Sequence, residues 1–257
     1  MPLAQKVAVI TGGSSGIGAA IARALARRGW QLVLLARSEE RLAEVAREVG
    51  AEHKLCDVAD RAEVERVAAG VRERHPAINL LVNNAGIPGR GGFLDLDPEQ
   101  IEGLERTNYL GSVWCLRAFL PALEAAAPAD LVNISSVAGT IAVGHSGPYS
   151  ASKHAQLAFS RSVGVELAGR GITVHTVIPG FIHTPGFPNR SRFRNRMLQK
   201  IVAEPEFVAE QVVQGIERNR VEQFVPRWYR PAAIVQAAAP GSLARAARRL
   251  GTRKRPA

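Results

Sequence analysis

Tyr149 and Lys153 stand four residues apart in the run Tyr149-Ser150-Ala151-Ser152-Lys153. On a helix that interval puts both on one face, about 6 Å apart along the axis. A phenol titrates near pH ~10 and is a poor acid–base group in neutral water. A fixed ammonium on the same face favours the phenolate and brings its proton into working range. Bringing the phenol to about pH 7 takes about 4 kcal/mol of differential stabilisation, and a second fixed positive charge helps. The same spacing also describes an ordinary solvated helix face, so the meaning of the pair depends on its surroundings.

Three further positions have side chains suited to chemistry. Ser135 and Ser136 end an apolar run, Leu131–Ile134, that reads as a strand. A hydroxyl at a strand end can donate to an oxygen on which negative charge develops, or it can simply cap a turn. Asn108 falls inside a helical stretch, where asparagine has low propensity. That mismatch points to a side-chain task or to a local distortion of the helix.

The elements that must position these groups alternate strand and helix. Buried strands are expected at Val7–Thr11 and Gln31–Ala36, with further strands at His53–Cys56, Ile78–Val82, Leu131–Ile134 and Ile172–Ile178 and Gln223–Val225 as a last one. Helices are expected at Gly16–Arg28, at Glu39–Val49 with Ser38 as N-cap and Gly50 as stop, and at Arg61–Arg74. Asp97-Pro98-Glu99-Gln100 has a capping-box pattern, and the helix it opens runs with a break to Ala126. Another helix follows Pro148. This alternation predicts an α/β fold: a single-domain, Rossmann-type, doubly wound parallel sheet with helices on both faces. Ligands of such sheets bind beyond the carboxyl ends of the strands.

Thr11-Gly12-Gly13-Ser14-Ser15-Gly16-Ile17-Gly18 lies between the first strand and the first helix. Glycines there allow a tight turn and close approach of a pyrophosphate, and the helix N-terminus attracts the anion. The second strand ends at Ala36-Arg37, where an NAD site usually places an acid. A guanidinium pairs with a ribose 2′-phosphate, so NADP(H) is favoured and NAD(H) is the alternative. Arg37 also reads as a solvent-facing loop residue or as one stacked on adenine. Asp57 ends the third strand, where it can accept from an adenine amino group or serve a turn. Asn83-Asn84-Ala85-Gly86 follows the fourth strand, and its asparagines can satisfy loop backbone and brace strands.

The chain of 257 residues is long enough for one domain with a sizeable core, and its 46% apolar residues argue against disorder. Cys56 and Cys115 read as buried reduced thiols, and no Cys/His cluster suggests a metal. The apolar strand begins within a few residues of Met1, which leaves no room for a signal peptide, and no apolar run is long enough to span a bilayer. A cytoplasmic protein is expected. The formal charge of +10 is concentrated in a tail that has no acidic residue after Glu222. We therefore divide the chain into 1–226, a dinucleotide-binding and catalytic domain, and 227–257, a basic extension. The extension is read as packing on its own fold or a second subunit, with peripheral contact of 231–257 with an anionic membrane as the alternative. The basic run from 231 onward lacks interleaved aromatics, so no nucleic-acid partner is expected.

The loop glycines, Asn83-Asn84-Ala85-Gly86, Asn108, Ser136, Tyr149-x-x-x-Lys153 and Pro179-Gly180 together resemble the short-chain dehydrogenases/reductases, over about Lys6 to Thr184. By that resemblance Asn108, Ser136, Tyr149 and Lys153 form a catalytic tetrad, with Ser136 rather than Ser135 chosen by its interval to Tyr149. The cofactor would lie on Gly12, Ser14, Ser15, Gly16, Ile17 and Gly18. Arg37, Asp57 and Val58 would meet its adenosine end, and Asn84, Ala85 and Gly86 the middle. Tyr149, Lys153, Pro179, Gly180, Ile182 and Thr184 would meet the nicotinamide end. Family members preferring NADP often carry a basic residue where this chain has Ser15, so the cofactor choice rests on Arg37 alone. The resemblance implies an oxidoreductase that interconverts a ketone or aldehyde with its alcohol, Tyr149 being the general acid/base and Lys153 lowering its pKa. It also implies a homodimer or homotetramer joined through the long helices. Apolar Val137–Val143 and a lid at about 185–204, with Phe187, Phe193, Met197 and Leu198, suggest a small hydrophobic carbonyl or alcohol substrate. Arg190, Arg192, Arg194, Arg196 and Lys200 in the lid fit either an acyl-carrier substrate or a solvated face. The alternatives are a non-catalytic dinucleotide-binding regulator or scaffold, or an epimerase or dehydratase on the same frame.

Overall fold

The computed structural model describes residues 5–142, 146–184, 202–241 and 245. Seven parallel strands lie in the order β3-β2-β1-β4-β5-β6-β7. They are β1 Val7–Thr11, β2 Gln31–Ala36, β3 Glu52–Leu55, β4 Leu80–Asn83, β5 Ala129–Ile134, β6 Ile172–Pro179 and β7 Glu222–Val225. The inner strands are apolar on both faces because helices cover both, whereas the edge strand β3, Glu-His-Lys-Leu, is largely exposed. Ala8 and Ile10 of β1 enter one core with α1 (Gly16–Ala26), α2 (Glu39–Val49) and α7 (Pro205–Glu217). Val7 and Val9 enter the other core with α3 (Arg61–Arg74), α5 (Gly111–Ala125) and α6 (Gly147–Leu167).

Helix limits follow local chemistry. Asp60 accepts from the backbone N–H groups of Ala62 and Glu63 and so starts α3. Gly50 takes the left-handed conformation that ends α2. Gln100 accepts from the Asp97 N–H at 3.1 Å, and Pro98 takes the first position of α4 (Pro98–Glu105). The expected break between α4 and α5 is a π-helical turn, Arg106–Leu110, with Asn108 in its middle. Helix α1 stops at Ala26 rather than Arg28, because the chain turns there toward Gly29. Helix α7 has no counterpart in the sequence reading, although Pro205 at its first turn and buried Val208, Ala209, Val212 and Val213 supply the signals.

The strand order reverses between β1 and β4, so the loops after these two strands flank a crevice. At the other end of the sheet, β7 leads into a 3₁₀ turn, Arg227–Tyr229, and α8 (Arg230–Ala238). Tyr229 is buried with Leu157, Ile178 and Phe224, so the extension begins by packing on its own fold. Beyond it only 239–241 and Arg245 are described; the expected lid residues 185–201, Val143, and 246–257 lie outside the described residues. Among the described residues no helix is long and apolar enough to cross a membrane.

A polar ladder crosses the otherwise apolar core under α5 and α6. Asn83 donates to the Ser112 carbonyl at 3.2 Å and to Asn133 Oδ1 at 2.9 Å. Asn133 donates to Ser160 Oγ at 2.9 Å, and Ser160 bonds Thr176 at 2.7 Å. All these side chains are buried. Asn133→Leu removes one acceptor and one donor from the middle of the ladder and leaves Asn83 and Ser160 short of partners. It is expected to lower unfolding free energy by about 2–3 kcal/mol, read as an earlier urea midpoint.

Candidate active site

One open cleft of about 970 Å³ runs along the carboxyl edge of the sheet. It is lined at one end by the loop after β1 and by Arg37, Asp57 and Val58, and at the other by Ser136, Tyr149, Lys153 and Pro179 to Ile182.

The loop is built for close approach. Gly12 has φ +66°, a conformation that side chains resist, and a Cβ there would meet Asn84 Nδ2 at 2.8 Å. A Cβ on Gly18 would sit 2.3 Å from the Gly12 carbonyl oxygen, so α1 can press onto the turn only as glycine. Gly18 is buried behind the loop rather than on the cleft; its part is packing. The first N–H groups of α1 have no carbonyl one turn back, and they sit at the positive end of the helix. A pyrophosphate therefore fits this cradle.

Asn84 braces the crevice from the far side. Its amide donates to the carbonyls of Thr11 (3.0 Å) and Gly12 (3.2 Å). The Thr11 hydroxyl accepts from Asn84 N and Ala85 N, both at 3.0 Å, and donates to the Val82 carbonyl. Thr11 was not singled out from sequence; a polar residue ending a buried strand was the available signal. At the adenosine end, Asp57 Oδ1 caps the turn through Ala59 N at 2.9 Å, while Oδ2 lies 3.6 Å from Arg37 Nη1. One oxygen thus serves the turn, and the other faces Arg37 on the cleft lining. Ser38 and Arg41 also line this end, Arg41 from the first turn of α2, and neither was assigned to the cleft from sequence.

At the opposite end, Ser136 ends β5 and opens a 3₁₀ turn, accepting from Ala138 N at 3.1 Å. Its hydroxyl lies near enough to the Tyr149 phenol to pull the phenol's pKa down. Asn108 is fully buried, and its Oδ1 accepts from Ile87 N at 2.8 Å. Its amide donates to the Ile87 carbonyl and to Ser152 Oγ, at 3.1 and 3.0 Å. Both readings of this residue hold, since the helix is distorted and the side chain has a task. Ser135 does not point at Tyr149; its hydroxyl donates to the Lys153 carbonyl of α6 at 3.3 Å.

Lys153 is buried, and Nζ donates to the Ile134 carbonyl at 3.1 Å and to Gln156 Oε1 at 2.8 Å. Burial pushes its pKa down to about 7. Burial also pushes the Tyr149 phenol above its ordinary value, with the Ser136 hydroxyl pulling the other way. The expected lowering of the phenol by Lys153 is not among the influences on it here, where burial dominates.

The cleft wall holds a feature the sequence reading placed in the extension. Trp228 and Tyr229 stack with centroids 3.8 Å apart, and both line the cleft beside Phe181. The Tyr229 ring lies so close to Gly180 that any Cβ there would collide with it, and its hydroxyl accepts from Phe181 N at 3.2 Å. The 3₁₀ turn Arg227–Tyr229 thus closes the substrate side. Both cysteines are buried, Cys56 beneath the Asp57 end of the cleft, and burial raises their thiols, Cys56 to about 12.

The buried lysine carries a stability consequence of definite sign. Its folded pKa, about 7, lies below the ordinary 10.5, so between those values the unfolded chain binds a proton that the folded chain has released. Stability gained from this group rises across that window, and the cost of burying the ammonium is complete below it. Lys153→Met is expected to raise the melting temperature at pH 6, with the difference shrinking toward pH 10, in a calorimetric pH series.

A model of the short chain dehydrogenase family matches residues 6–195. A putative ketoacyl reductase of Streptomyces coelicolor is 40% identical over 188 residues, 70% of this chain and 72% of the relative. An actinorhodin polyketide ketoreductase variant, solved with NADPH, superposes with a TM-score of 0.73 at 34% identity, covering 82% of this chain and 89% of that one. A Burkholderia phymatum short-chain dehydrogenase/reductase, solved with NAD, gives 0.83 at 25% identity, covering 93% and 95%. Together with the parallel sheet and its glycine-lined crevice, these matches establish the chain as a member of the short-chain dehydrogenase/reductase family of oxidoreductases.

Proposed function

We propose that the protein reduces a hydrophobic ketone or aldehyde with NADPH, and runs the reverse oxidation, with Tyr149 as the general acid/base. The observation that carries this reading is the placement of Ser136, Tyr149 and Lys153 together on the lining of the cleft that also holds the phosphate cradle. A nicotinamide dinucleotide, when bound, supplies or takes the hydride and in its oxidised form adds a positive charge near the phenol.

The chain's own groups do the rest. Ser136 and Tyr149 converge on one position, which is where a carbonyl oxygen is held and polarised. Burial keeps Tyr149 protonated at neutral pH, the form that donates. In reduction its proton goes to the oxygen that becomes the alcohol; in oxidation the phenolate takes it back. Lys153, near half-protonated at neutral pH, adds positive charge beneath the site and a donor for the ribose. Asn108 ties the loop after β4 to α6 through Ile87 and Ser152, and so holds the cleft floor in register. Apolar Val137, Ile141, Phe181 and Trp228 on the substrate side support a hydrophobic substrate. The retention of the serine, tyrosine and lysine together argues for catalysis over a scaffold role.

NADP(H) is the cofactor we favour. Arg37 and Arg41 put two guanidinium groups at the end of β2, where a 2′-phosphate would lie. One carboxylate, Asp57, partly offsets the first of them.

Tyr149→Phe is expected to cut kcat for ketone reduction by about a hundred- to ten-thousandfold while NADPH still binds, as followed by cofactor fluorescence. Full turnover in this variant would sink the acid/base assignment. Arg37→Asp is expected to raise KM for NADPH by about 10- to 100-fold and leave KM for NADH unchanged or lower. Equal effects on both cofactors would show that Arg37 does not read the phosphate.

A further inference from the structure

The buried amine of Lys153 has an unusual neighbour. Gln156, one turn along α6, is fully buried and takes no part in lining the cleft. Its Oε1 accepts from Lys153 Nζ at 2.8 Å, and its Nε2 donates to Ser112 Oγ on α5 at 2.9 Å. The orientation of this amide is determined by its partners, since flipping it would set an NH₂ group against the lysine's own donors. Ser112 is in turn held in the polar ladder, because its carbonyl accepts from Asn83. A buried amide is costly unless bonded, and an apolar side chain of similar size would suit this helix face as well. The amide is bonded on both ends, and one end is the lysine.

We propose that Gln156 is a positioning residue for Lys153: its amide oxygen, braced by Ser112, aims the ammonium at the cleft and helps it keep its proton. Nζ has three donor directions; Ile134 and Gln156 engage two of them from the protein side. Nζ also borders the cleft at Gly86, where a Cβ would lie 3.6 Å from it. Tyr149 and His154 are the titratable groups beside Lys153 on its own helix. The elements packed around it carry Glu105, Arg106, Tyr109, Cys115 and His175, yet burial alone sets the depression of its pKa. With no charge partner, a neutral acceptor such as Gln156 is what holds the proton on the amine. The consequence for catalysis rests on the function proposed above; the positioning of the lysine does not.

The test is an NMR titration of the full-length protein labelled with [ε-¹³C]lysine, the Lys153 signal being assigned by its loss in Lys153→Met. Gln156→Leu is expected to move the Lys153 midpoint down by about one pH unit, a tenfold change in the protonated population at a given pH. Ser112→Ala, which only frees the amide, is expected to move it less in the same direction, and Gln156→Glu to move it up. Gln156→Met and Ser112→Ala serve as the test should the leucine variant fold poorly. An unmoved midpoint in the folded variants overturns the proposal. In parallel, NADPH-driven ketone reduction should show the alkaline limb of kcat/KM moving to lower pH with the midpoint in Gln156→Leu. A uniform drop at every pH with an unmoved midpoint is loss of packing and counts against positioning. A wild type that reduces no carbonyl, with the midpoint still shifted by Gln156→Leu, would sink the reductase reading and leave the positioning intact.

Discussion

The active edge of this protein depends on keeping one amine in a nearly dry place. Lys153 lies between the end of β5 and the helices α5 and α6, where an ammonium is poorly solvated and every donor must find an acceptor. The polar residues that provide those acceptors are otherwise out of place in an apolar core. Asn83, Ser112, Asn133, Gln156, Ser160 and Thr176 make sense as one connected set that lets a chargeable group sit inside, with Asn83 Oδ1 the one atom of the set left without a partner. Such a set also makes the two helices dock in a single register, because a shifted register would strand the whole chain of bonds.

The crevice at the strand-order reversal is held by a second, smaller set of bonds. Asn84 and Thr11 join the ends of β4 and β1 through four hydrogen bonds that involve loop backbone. They hold the glycine turn open without placing a side chain in it. Glycine at 12 and 18 then lets backbone N–H groups and a helix end face an anion directly. Binding of the phosphates and placement of the reacting groups are thus separate tasks on one rigid edge. Asn108 links them, as its π-helical turn lets the side chain reach back to Ile87 and across to Ser152.

Most of the frame was legible from the order of apolar runs and stop signals. All seven strands and the helices up to α6 follow from periodicity, capping residues and glycines, each of which acts within a few residues of itself. Helix α7 was overlooked because it follows a stretch read as one variable lid, although Pro205 and its buried valines mark it. Asn108 stood out because asparagine suits a helix poorly, and the loop glycines, Ser136, Tyr149 and Lys153 stood out as a set in one order and spacing. Gln156 and Ser112 did not, since a polar residue on a long helix looks the same in sequence whether it meets water or a buried lysine. Trp228 was read as part of a basic tail because its partners, Tyr229 and Gly180, acquire meaning only when β7 brings the chain back beside β6.

Sequence alone determined the alternation of elements, the phosphate turn and the residue types at the reacting edge, since these are set by local backbone preference and by side-chain chemistry at fixed intervals. Tertiary structure decided the electrostatics. The Tyr149–Lys153 interval says that the two share a helix face, and from that face alone an ammonium should lower the phenol. Burial reverses the balance by depressing the amine and raising the phenol, because desolvation depends on everything packed around a group and not on its neighbours along the chain.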